Sequence, residues 1–119
     1  MKRLVLTGVS TLIAAPVSAD SAKDMAFCAG VTDATFEFDR KAGDAEFLDE
    51  FADQAHIFMT LARRERDRPT SAVLHEERRK GREALSRPDL SDDDAHTLVQ
   101  ACSDLHQKLI RDGKWVEEP

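Results

Sequence analysis

Four histidines and two cysteines are the side chains of this chain best suited to chemistry. His56 follows Asp53, and His96 follows Asp93, each three residues on. On paired helices an acid-x-x-His motif resembles the ligand sets of dimetal bundles, which need both side chains to project inward. At 100° per residue, however, Asp53 and Asp93 each lie about 170° from the apolar stripe of their helix, and the two histidines more than about 100° from it. Both pairs are therefore expected to face outward, and no metal site is expected.

His106 differs, lying only about 50° from the apolar stripe of its helix. Met25 occupies the inward face of another helix at a similar height. Methionine and histidine together can ligate a haem iron, and helical bundles are common hosts. Against that stands the expected pairing of Cys28 with Cys102, one turn from Met25 and His106. A disulfide holds its Cα atoms about 5.5 to 6 Å apart, too close for an iron with two axial side chains between them. There is no Cys-x-x-Cys-His for covalent haem and no Cys-x-x-Cys for redox exchange. The pairing reads as a structural staple, and the interior near His106 stays open as an alternative site for a small-ligand, metal or haem carrier.

No serine or threonine stands in a recognisable nucleophilic arrangement, and no glycine-rich loop offers a phosphate cradle. No catalytic residue is assigned and no cofactor is expected. The reading is a non-enzymatic interaction module or accessory subunit.

The elements that position these residues begin after an export signature. Lys2 and Arg3 precede an apolar run from Leu4 to Ala15 and the small-residue site Val17-Ser18-Ala19. This predicts a signal peptide over 1–19, cleavage after Ala19, and a single periplasmic or secreted domain over 20–119. No stretch reaches the roughly 20 apolar residues of a transmembrane helix. Without Lys2 and Arg3 the chain holds 15 basic and 23 acidic residues, a net charge of −8 that disfavours nucleic acid. In an oxidising compartment two cysteines form a disulfide.

Apolar residues recur at helical rather than strand spacing. The first predicted helix runs from Ser21 to Lys41 and stops at Gly43. The second is capped by Asp44 and runs to Arg66, before Pro69. The third spans Thr70 to Ser86. The fourth opens on Ser91 with Asp94 three residues on and closes at Gly113, past which Trp115 folds back over the core. The predicted fold is all-α: a small four-helix up-down bundle stapled by one disulfide. Cys28 lies about 10 Å from the start of the first helix and Cys102 about 15 Å from the end of the antiparallel fourth, heights that suit the staple.

Two features suggest contacts. The first helix carries two apolar stripes. Ala22, Met25, Cys28, Thr32 and Phe36 face the core, and Phe27, Val31, Ala34 and Phe38 lie on roughly the opposite side. The second stripe is either covered by a neighbouring element or exposed to a partner. The segment from Arg63 to Arg87 carries nine basic and five acidic residues between acidic flanks. It is either a solvated face, with a Glu76–Lys80 pair along the helix, or a docking patch for an acidic partner or a membrane surface. The third helix has the poorest apolar stripe and is expected to be the least firmly packed. The candidate partner-binding residues are Phe27, Val31, Phe38, Arg78, Arg79 and Arg82, and the expected partner is another envelope protein or a second copy in a homodimer.

Overall fold

The computed structural model describes residues 18–116, with side chains from Ser21 to Val116. The signal segment expected over 1–19 lies outside the described residues, apart from Ser18 and Ala19, with which the first helix begins. Among the described residues the structure is all-helical: α1 (Ser18–Ala42), α2 (Leu48–Arg64), α3 (Ser71–Ser86) and α4 (Asp92–Arg111).

Local chemistry sets the ends. Gly43 takes the left-handed conformation, φ 81°, and its N–H donates to the Arg40 carbonyl as α1 closes. Asp44 does not cap α2 as its type suggested. Its carboxylate accepts from the Glu46 N–H at 3.3 Å instead, and Phe47 holds the N-cap position without a side-chain bond. Asp44 thus sits in an Asx-type turn ahead of the helix, and α2 starts at Leu48. Thr70 caps α3, accepting from Val73 N–H at 3.4 Å, and Ser91 caps α4, accepting from Asp94 N–H at 3.1 Å. Gly113, φ 75°, closes α4, and the N–H groups of Lys114 and Trp115 both donate to the Leu109 carbonyl. That reversal returns Trp115 over the core, where it is buried.

α1 is the hub. It packs most extensively on α3, nearly as much on α2, and least on α4, while backbone contacts among the other three are marginal. The helices are thus organised around α1 rather than as a ring of sequential neighbours. On one side its Met25, Cys28 and Ala29 join Ala55, Phe58, Met59 and Ala62 of α2, with Cys102, Leu109 and Trp115 closing the cluster. Cys28 and Cys102 are bonded, with Cα atoms 5.4 Å apart and 74 residues between them in sequence. Thr32, the one buried polar side chain here, donates to the Cys28 carbonyl at 2.8 Å.

The other side of α1 meets α3 through glycine. A Cβ on Gly30 would lie 2.7 Å from Arg82 N and closer still to the Arg78 carbonyl; one on Gly81 would run into the Phe27 carbonyl. The two backbones touch where neither residue has a side chain, and this compensates for the thin apolar stripe of α3, where only Leu74 and Gly81 are buried. A glycine inside a helix costs about 1 kcal/mol relative to alanine. Here the close crossing is what that cost permits.

Candidate interaction surface

The two-faced α1 is sandwiched, with α2 and α4 on one side and α3 on the other. Val31 is 2 % exposed and Ala34 is also buried; Phe27 is half-buried against the core. Of the second stripe only Phe38, 74 % exposed, is open. The Gly30–Gly81 crossing brings α3 against Phe27 and Val31. Phe36, expected on the core face, is only half-buried and lines the open groove between α1 and α3 with His75 and Arg79.

Phe38 stands on the wall of a second groove, about 550 Å³ in volume, where α1, α3 and α4 converge. Its apolar lining comes from Ala34, Phe38, Leu85, Ala95 and Val99, and its rim carries Glu37, Lys41, Arg87 and Asp92. Val99, like Phe38, is an exposed large hydrophobic. Leu85 of α3 and Ala95 and Val99 of α4 meet Phe38 of α1 in a grouping that a reading of single helices misses, because it joins three separate elements. Leu85 and Ala95 lie on the apolar stripes of their own helices, which gives no sign that they meet each other or Phe38.

The basic residues of α3 are largely neutralised in place. Arg78 makes a two-pronged bond to Asp33 of α1, at 2.6 and 2.9 Å, and this hydrogen-bonded pairing raises its already high pKa. Arg79 bridges Glu76 and Glu83, which likewise raises its pKa, while its hydrogen bond holds the Glu76 carboxyl below the usual carboxylate range. Lys80 pairs with Glu77 at 3.0 Å, not with Glu76 as i, i+4 spacing suggested, and Arg87 pairs with Asp89 at 3.1 Å. Arg82 is exposed and forms no ion pair among the described residues. The three candidate arginines therefore divide: Arg78 ties α3 to α1, Arg79 is held within α3, and Arg82 faces solvent.

His56, His75 and His96 are exposed, as are Asp53 and Asp93. Among the described residues, no three of His, Cys, Asp and Glu converge as a metal would need. His106 is half-buried against Trp115, ring centroids 4.3 Å apart, with Phe58 completing the aromatic cluster. A cavity of about 210 Å³ lies beside it, lined by Phe51, Gln54, Phe58, Val99, Ser103 and His106 among others. It abuts the disulfide, whose short Cα separation leaves no width for a porphyrin between α1 and α4. The cavity suits a small neutral molecule, which Gln54 and Ser103 can hydrogen-bond.

No helix among the described residues is long and apolar enough to cross a membrane. Comparison with protein-family models, curated proteins and solved structures finds no match.

Proposed function

We propose that this protein is an exported, disulfide-stapled interaction module: a non-enzymatic accessory subunit that binds another protein of the cell envelope, or a second copy of itself, with Phe38 as the aromatic anchor. The observation that carries this is the 74 % exposed Phe38 on the wall of a three-helix groove. A large apolar side chain left open beside a concave apolar surface is the pattern of an interface hot spot. Export is supported by the charged start, apolar run and small-residue site of residues 2–19, and a disulfide buried in the core suits an oxidising compartment.

A photo-crosslinking amino acid at position 38 tests this in cells. It should give one discrete adduct, absent when the same group replaces exposed Gln107 on α4, and lost when Val99→Asp charges the groove. Absence of an adduct at 38, or the same adduct from 107, counts against the groove as the contact surface.

The 210 Å³ cavity supports a second reading, a carrier of a small neutral ligand next to His106. Native mass spectrometry separates the two: a carrier isolated with its ligand shows a discrete mass excess, which a pure interaction module lacks.

A further inference from the structure

Four arginines without ion pairs cluster at the corner where α2 ends. Arg63 and Arg64 occupy the last turn of α2, and Arg66 and Arg68 the connection to α3. All four are exposed, and none forms an ion pair among the described residues. The nearby carboxylate of Glu65 is already engaged by Lys114, at 3.8 Å, and its carbonyl accepts from Arg68. Asp67 is the one other acid in the stretch. The Lys114–Glu65 pair brings the residues just before buried Trp115 to the same corner.

This differs from α3 and its C-cap, where Arg78, Arg79, Lys80 and Arg87 each hold a carboxylate and Arg82 alone is unpaired among the described residues. It also differs from the other end of α2, whose first turn carries Asp49 and Glu50. Those acids stand about 20 Å from Arg63 and Arg64 along the helix. Charges on a surface are screened over about 8 Å at physiological ionic strength, so the acidic end does not cancel the basic one. A chain that is acidic overall thus groups four unpaired arginines within six residues.

We propose that this corner, Arg63, Arg64, Arg66 and Arg68, binds the surface of an anionic phospholipid membrane. Charge complementarity selects the occupant. The planar guanidinium fork suits phosphate oxygens. The surface is separate from the Phe38 groove, so either assignment can fail without the other.

The experiment is co-sedimentation of the purified, oxidised protein with vesicles of phosphatidylcholine, alone or mixed with phosphatidylglycerol. Trp115, the sole tryptophan, provides a fluorescence readout beside the corner. Affinity should rise on adding the anionic lipid, and that increment should shrink with salt. Each arginine near an anionic surface contributes about fivefold, so Arg66→Gln with Arg68→Gln should weaken the increment about 25-fold. Arg79→Gln, a paired position on α3, should change it less than threefold. Equal binding to both vesicle types overturns the proposal, as does an increment that survives the double substitution or is lost with Arg79→Gln. So does self-association of the free protein that the double substitution abolishes, which would make a second copy the occupant. Unchanged circular dichroism in both variants keeps these outcomes separate from misfolding.

Discussion

The two sides of α1 solve the same packing problem by different means. Towards α2 and α4 the contact is built from large side chains, with Phe58 against Trp115 at a centroid distance of 4.8 Å, and is closed by the Cys28–Cys102 bond. Towards α3 it is built from the absence of side chains at Gly30 and Gly81, fastened by Arg78 on Asp33. The first kind of contact tolerates adjustment, because side chains can change rotamer. The second does not, because two backbones in contact have nothing to move. A helix with few apolar residues can therefore be held closely, provided that its glycine is in register.

Three measurements break or sharpen this contrast. The largest effect is expected from Cys28→Ser with Cys102→Ser, which releases the constraint on the unfolded chain and should cost about 4 kcal/mol in chemical denaturation. Next comes Gly81→Ala. In a helix interior this change ordinarily gains about 1 kcal/mol. Here the added Cβ meets the Phe27 carbonyl, and the cost should be about 3 kcal/mol, with amide exchange accelerated along α3 before α2 and α4. A neutral or stabilising Gly81→Ala would show that α3 is not held by the crossing. The smallest effect belongs to the ion pair. A double-mutant cycle of Arg78→Gln and Asp33→Asn should give a coupling of about 1 kcal/mol, since both groups are only partly buried. A coupling near zero would leave the glycines as the sole fastening of α3.

Much of the fold is legible along the chain. Gly43, Pro69, Ser91 and Gly113 each act within a few residues, so helix ends follow from local chemistry, and Ser91 caps α4 as its type implies. Asp44 shows the limit even there, because its carboxylate accepts from Glu46 N–H in a turn and α2 takes its N-cap three residues further on, at Phe47. The candidate surface is less legible. Phe27, Val31 and Phe38 share a stripe in sequence, yet only Phe38 remains open. Nothing local separates them, since the difference comes from where α3 crosses.

By itself the sequence determined four helices, the only available pair of cysteines, the outward turn of His56 and His96, and the uneven placing of charge. All of these depend on helical periodicity or on residue count. Tertiary structure alone decided that α1 is the hub, that Gly30 meets Gly81, that Asp33 claims Arg78, and that Phe38, Leu85, Ala95 and Val99 share one groove. Each of those joins residues from different helices, and the crossing that brings them together is fixed by close packing between elements. Periodicity within one helix gives the direction a side chain faces, but carries no term for what will stand opposite it.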